Sequence, residues 1–176
     1  MKIKLRRSNQ QDLENVYQLH IKCFNNSDHW YRSNIQHYLD SGVIVEIKET
    51  NEIIGILLQG EIIPCNKKID LNNNLEYKED IFESICDKGK IFDSFKEYYG
   101  IVMICIHSDY RGKGLAKKLI NKHFDDNKEK LVCLNTRRSN INAYQLYKNM
   151  GYEHIAFIKN KYFLPSEDSI FMIKVN

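Results

Sequence analysis

The run Ile101-Val102-Met103-Ile104-Cys105-Ile106, followed after a short link by Arg111-Gly112-Lys113-Gly114, constrains this chain more than any other stretch. An unbroken apolar run of that length fits a central strand covered on both faces. Beyond the turn, Leu115, Leu119, Ile120 and Phe124 fall on one face of a helix. A strand that turns through glycines into a helix gathers free backbone N–H groups at one point, where the helix dipole also favours an anion. Gly112 and Gly114 remove side chains that would hold a phosphate off the backbone, and Arg111 and Lys113 add positive charge. A tight structural connection would use the same residues. Spacing excludes two nucleotide sites: a dinucleotide fingerprint needs a third glycine where Lys117 stands, and a P-loop needs Ser or Thr where Gly114 stands.

The flanking sequence alternates strands and helices. Lys2 to Arg6 reads as a strand, and Ser8 with Gln11 forms a capping box before a helix carrying Leu13, Val16, Tyr17, His20 and Phe24. A second helix is expected from His29 to Leu39. The β-branched runs Val43–Ile47 and Ile53–Leu58, with Asn51 between them, form an antiparallel hairpin. From Pro64 the pattern weakens, and Ile81, Phe82, Ile85, Ile91, Phe92 and Phe95 suggest a helical insertion before the central strand, broken near Gly89. A strand from Lys130 to Thr136 and a helix from Ile141 to Met150 follow. That helix buries Ala143, Leu146, Tyr147 and Met150 and ends at Gly151, and Tyr152–Ile158 with Ile170–Val175 close the chain as strands.

At 176 residues the chain is expected to form one domain, 1–176. Charge interrupts every apolar run well before the roughly 18 residues of a membrane span. The start Met1-Lys2-Ile3-Lys4 leads into no apolar block of signal-peptide length, so a cytoplasmic protein is expected. The five cysteines are an odd number with no Cys-x-x-Cys spacing, which predicts reduced thiols and no metal site. A net charge of +3, from scattered pairs such as Lys117-Lys118 and Arg137-Arg138, speaks against nucleic acid as the partner.

Arg111-Gly112-Lys113-Gly114-Leu115-Ala116 resembles the Arg/Gln-x-x-Gly-x-Gly/Ala pyrophosphate-binding motif of the GNAT N-acetyltransferases. Ile104 to Tyr110 fills the places of the family's Leu-x-Val-x-Pro-x-Tyr strand end, with Ser108 in place of proline. A second block, Asn140-x-x-Ala143-x-x-Leu146-Tyr147-x-x-x-Gly151-Tyr152, is similar to the family's Asn-x-x-Ala-x-x-Leu-Tyr-x-x-x-Gly-Phe. The motifs are most similar to those of the ribosomal-protein N-terminal acetyltransferases. The resemblance implies a mixed α/β fold, with helices flanking a mixed, mostly antiparallel sheet of about seven strands, and a cofactor-binding core over about 100–152. It implies acetyl-CoA as donor and an amine, peptide or small molecule, as acceptor. Ile104, Cys105 and Ile106 would border the thioester and pantetheine arm, and Gly112, Lys113, Gly114, Leu115, Ala116 and Lys117, with Arg111, would receive the pyrophosphate. Asn140 would contact coenzyme A, and Tyr147 would protonate the leaving thiolate. A homodimer is common among similar proteins.

Without that motif Tyr147 reads as a core aromatic and Asn140 as a helix N-cap. The base is the open place: where the similar enzymes carry glutamate, this chain carries Asn135, which cannot accept the proton of an amine. His107 titrates in the right range but equally fits an ordinary surface position. Cys105, in an apolar strand, reads as packing rather than as a nucleophile. For the acceptor, His29, Trp30, Tyr31, Glu61 and Tyr98-Tyr99 could line a pocket. A rival of another class follows from Asn135, an acyl-CoA-binding regulatory module without turnover.

Overall fold

The computed structural model describes residues 1–24, 30–61, 75–76, 98–163 and 165–174. The chain divides into two compact units, Met1–Gly60 with Ile101–Asp126, and Glu61–Gly100 with Asn127–Asn176. Among the described residues there are eight strands and four α-helices.

In the first unit, strands β1 (Ile3–Arg7), β2 (Val43–Ile47), β3 (Ile53–Glu61) and β5 (Tyr98–Ile106) lie in that order. β1 and β2 are antiparallel, with Ile3 opposite Ile47 and Arg7 opposite Val43. β2 and β3 form the expected hairpin, with Val43 opposite Leu57. Asn51 turns it at φ 56°, a conformation asparagine tolerates better than most residues. Helices α1 (Leu13–Cys23) and α2 (Arg32–Tyr38), with the 3-10 turn Leu39–Ser41 that follows, bury Val16, Leu19, Ile35 and Leu39 against Ile44, Ile56, Leu58, Met103 and Cys105. Helix α3 (Leu115–Asp126) packs on β2. All five residues of β2 are buried, which is why its sequence is apolar without alternation.

The cap before α1 sits one residue from where the sequence pattern places it. Asn9 accepts the N–H of Gln11 at 2.9 Å and the Asp12 carboxylate accepts the N–H of Asn9 at 2.9 Å, forming the capping box on a 3-10 turn, Gln10–Asp12, that runs into the helix. Ser8 is buried and its hydroxyl donates to the Leu39 carbonyl instead, so tertiary structure takes the residue that local sequence offers as a cap. Asp12 is also gripped by Arg6 at 2.7 and 2.8 Å, while Arg6 Nε donates to Glu46 at 2.6 Å.

In the second unit the order is β6 (Leu131–Arg137), β8 (Ser166–Lys174), β7 (Glu153–Phe163) and β4 (Leu75–Glu76), all antiparallel neighbours. β4 is the strand beyond the expected number; two residues carry no alternation that a sequence could display. The remainder of the expected helical insertion lies outside the described residues. Helix α4 (Ile141–Asn149) ends at Gly151, at φ 85°; of its expected stripe Tyr147 and Met150 are buried, while Ala143 and Leu146 are half-buried. Among the described residues no helix is long and apolar enough to cross a membrane.

Candidate active site

β5 carries the apolar run, and its burial alternates: Ile101, Met103 and Cys105 are buried, while Val102 and Ile104 are half-buried. Its end is fixed to β3, where the His107 N–H donates to the Ile54 carbonyl at 2.9 Å. A Cβ on Gly55 would stand 2.5 Å from Ile106 Cδ1, so glycine at that point lets the Ile106 side chain lie against β3.

A 3-10 turn, Ser108–Tyr110, follows. His107 precedes it in an extended conformation (φ −52°, ψ 137°) and accepts the Asp109 N–H through Nδ1 at 3.4 Å. Ser108 opens the turn, where an N–H has no partner within it and the preceding residue is extended; both conditions also suit proline, so the exchange of proline for serine costs the turn little. Beyond it, Gly112 and Gly114 adopt φ 72° and 73°, the left-handed region that excludes most side chains. A Cβ at either would meet nothing within 4 Å, so the glycines answer to backbone conformation and open space rather than to crowding.

Residues 111–114 are exposed, and buried Leu115 anchors the start of α3. The first bond into the helix runs from the Lys118 N–H to the Gly114 carbonyl at 3.1 Å, so the N–H groups of Leu115, Ala116 and Lys117 precede the helical ladder. Arg111 Nε donates to the Ile106 carbonyl at 3.0 Å, tying the turn to the strand it leaves. Lys113 donates to the Asp109 carbonyl at 3.1 Å and lies 5.0 Å above the Tyr110 ring, which folds its ammonium back over the preceding turn. Ile104 to Lys117 thus form one continuous strand, turn and helix start. His107 also lines an open polar cleft of about 280 Å³ with Asn15, Gln18, Lys22, Asn51 and Glu52.

Tyr147, Asn140 and Asn135 belong to the second unit. Tyr147 is buried, its ring centroid 5.7 Å from that of Tyr152; burial first, and the nearby Tyr162 next, push its phenol well above the ordinary value, so it keeps its proton. Tyr162 stacks under the Arg137 guanidinium at 4.2 Å, and Arg137 pairs with Glu167 at 3.1 Å. Asn140 caps α4, its side-chain oxygen accepting the Ala143 N–H at 3.2 Å. Asn135 Oδ1 accepts the Ser169 hydroxyl at 2.8 Å, which leaves its NH₂ as the group it can present.

Of the aromatic cluster, Trp30 packs 5.9 Å from Tyr38, Tyr31 is 80% exposed and Tyr99 lies under Lys130 at 4.6 Å; His29 and the side chains of Glu61 and Tyr98 lie outside the described residues. Cys23 is a residue that sequence reasoning passed over. It stands 3.3 Å from the Ile106 carbonyl, and no local pattern signals a contact across 83 positions.

Residues 13–152 match the family model described as acetyltransferase (GNAT) family. In fold the chain is similar to NAA60 of Arabidopsis thaliana in complex with acetyl-CoA, with a TM-score of 0.76 and 20% identity over 99% of this chain and 100% of that one. The ribosomal-protein-S18-alanine N-acetyltransferase from Escherichia coli superposes with a TM-score of 0.69 and 14% identity, covering 98% of this chain and 93% of that one. Naa20 of Chaetomium thermophilum in complex with a bisubstrate analogue gives 0.68 and 19%, covering 98% and 86%. At such identities the solved structures speak for the fold alone. No curated protein matches the sequence.

Proposed function

We propose that this chain, which belongs to the acetyltransferase (GNAT) family, moves the acetyl group of acetyl-CoA directly onto a primary amine while both substrates are held together. Membership makes it an acetyl-CoA-dependent N-acetyltransferase. The observation that carries the finer reading is the exposed turn at Arg111–Gly114, with two left-handed glycines at the start of α3 and an arginine tied back to the end of β5.

Backbone N–H groups of Gly112 to Lys117 receive the donor's diphosphate, with the positive end of α3 behind them. The pantetheine arm and thioester lie along Ile104, Cys105 and Ile106. As the amine nitrogen bonds to the acetyl carbon, negative charge grows on the carbonyl oxygen, and one backbone donor contributes about 3 kcal/mol to its stabilisation. The carbon–sulfur bond then breaks, and Tyr147 gives its proton to the departing thiolate. Burial keeps that phenol protonated, so the proton is present when the sulfur leaves, and the same burial makes it a weaker acid. Asn140 holds the start of α4 and turns its remaining amide donors toward coenzyme A. Asn135, with its oxygen already engaged by Ser169, donates rather than accepts. The amine's proton therefore passes to water or to another group.

The solved structures of similar fold include the NatC complex bound to Gag peptide and CoA, which supports the free amino terminus of a peptide as the acceptor to test first. The test is thiol release from acetyl-CoA across peptides with free or blocked amino termini, polyamines and small amines. Acceptor-dependent release is expected. Saturable coenzyme A binding with no release to any acceptor would instead favour the binding-only reading that Asn135 suggests, and no binding at all would remove both.

A further inference from the structure

We propose that Asn135, held by Ser169, selects acceptors whose amine stands next to a carbonyl, α-aminoacyl compounds that arrive already neutral, over lysine side chains and polyamines. This rests on the proposed function and narrows its acceptor. Asn135 is half-buried on β6, and the hydroxyl of Ser169, fully buried on β8, donates to its Oδ1 at 2.8 Å. The asparagine oxygen is therefore engaged within the protein, and the N–H donors of the amide are what Asn135 has left to offer. Arg137 lies opposite Ser169 and Asn135 opposite Phe171, so Cys133, Asn135 and Arg137 share one sheet face with Glu167, Ser169 and Phe171.

Among the described residues that face offers no base beside Asn135. Glu167 accepts from Arg137 Nη1 at 3.1 Å, from the Ser139 hydroxyl at 3.0 Å and from the Ser139 N–H, and against the pull of burial these bonds hold its carboxyl below the ordinary value. Burial pushes the Cys133 thiol up to about 12. Tyr162, opposite Glu167, lies under the Arg137 guanidinium at 4.2 Å. Glu153, opposite Ile173, is exposed and two strands away, about 10 Å and beyond the reach of a direct proton transfer. His154, opposite Met172, and Asp168, which pairs with Arg138 at 3.7 Å, fall on the other face. An ammonium has no lone pair, so without a base the fraction of acceptor already neutral sets the rate. An α-amino group beside a carbonyl titrates at about 7.7–8.0 and a lysine side chain at about 10.4, so at about pH 7.5 their neutral fractions differ about 200-fold. The carbonyl that draws electron density from that amine also presents an oxygen to a donor, which is what Asn135 retains. The missing base and the available donor thus call for the same acceptor. As the carbon–nitrogen bond forms, the nitrogen gives one proton to water while the thiolate takes that of Tyr147, which solvent then restores.

The test is thiol release from acetyl-CoA by the full chain, from about pH 6 to about 9.5, with two peptides of equal length. One has a free amino terminus and no lysine; the other is blocked at its terminus and carries one lysine. At about pH 7.5 kcat/KM should favour the first about 200-fold. Its profile should rise and level above about pH 8, following the amine's own titration, whereas the lysine profile should still be climbing at about pH 9.5. Asn135→Asp keeps an oxygen for the Ser169 hydroxyl, so the fold is retained, and exchanges the donor for a carboxylate that can take a proton. It should cut the preference about tenfold or more, through a higher KM for the free terminus and faster turnover of lysine. Ser169→Ala releases the amide to turn and should raise KM for the free terminus severalfold with kcat little changed. A shared inflection below about pH 7, equal rates for the two peptides at about pH 7.5, or an unchanged preference in Asn135→Asp overturns the proposal. Release with the lysine peptide alone overturns it and leaves acetyl transfer standing, whereas no release with either peptide at any pH sinks acetyl transfer and this inference with it.

Discussion

Gly114 separates what the turn needs to fold from what it needs to bind. At φ 73° an L-residue is strained by about 1–2 kcal/mol, yet an added Cβ would meet no neighbour within 4 Å. Gly114→Val should therefore lower stability by that modest amount while abolishing coenzyme A binding, because the added carbons fill the phosphate cradle. Urea titration beside a coenzyme A titration reads the two effects, and intact affinity removes the assignment. Tyr147→Phe makes the opposite division: turnover falls on the order of 10²-fold with affinity nearly unchanged. An unaltered rate would return the phenol to the core. These residues were legible because each belongs to a short local motif: two glycines between a strand and a helix, and a tyrosine at helical spacing before Gly151. Cys23 and Ser169 were not, since their partners Ile106 and Asn135 lie far along the chain and nothing in a single sequence couples them.

Among elements, α3 shows where periodicity stops being informative. Its apolar stripe places Leu115, Leu119 and Ile120 in the core, with Phe124 only half-buried, but His123 is buried there too, with no exposed surface. Histidine counts as polar in any pattern, and only the fold reveals its partner: Nδ1–H donates to the Gln59 amide oxygen. Burial first, with the Arg7 charge adding and the Asp126 charge opposing, lowers His123 from 6.5 to about 4. Between those values the unfolded chain binds a proton that the folded chain refuses. Stability therefore falls as pH drops through this window, by about 3 kcal/mol for a depression of that size. Asp12, held below its ordinary 3.8 by Arg6, keeps its charge throughout the window and contributes its loss only at lower pH. His123→Gln, which retains a donor for Gln59, should flatten the stability profile between about pH 6.5 and 4. Urea midpoints measured across that range decide it, and an unchanged slope would show that another group titrates there. The displaced cap before α1 carries the same lesson, because Ser8 fits the local rule and the Leu39 carbonyl claims it.

For the molecule as a whole, strand and helix order was readable along the chain, but of the strand neighbours only the β2–β3 hairpin was. β8 lies between β6 and β7 because an antiparallel hairpin turns β7 back beside it, and pairing of that kind leaves no periodicity in sequence. The donor's two halves make different demands on this architecture. On the proposed function the diphosphate half is held by the turn and the start of α3 and the pantetheine half by the backbone of β5, both in the first unit. A ligand that binds only the folded chain stabilises it by about 2.7 kcal/mol at a hundred times its dissociation constant. For a chain of 176 residues that raises the melting temperature by roughly 5–10 °C. Coenzyme A and its nucleotide half, 3′-phospho-ADP, should both produce such shifts, the latter at higher concentration, while pantetheine alone should produce little, because oriented N–H groups and a helix dipole reward the charged half most. In Gly114→Val both shifts should vanish together. A pantetheine shift matching that of coenzyme A, with none from 3′-phospho-ADP, would mean that binding begins at β5 and that the Arg111 turn is a structural connection after all.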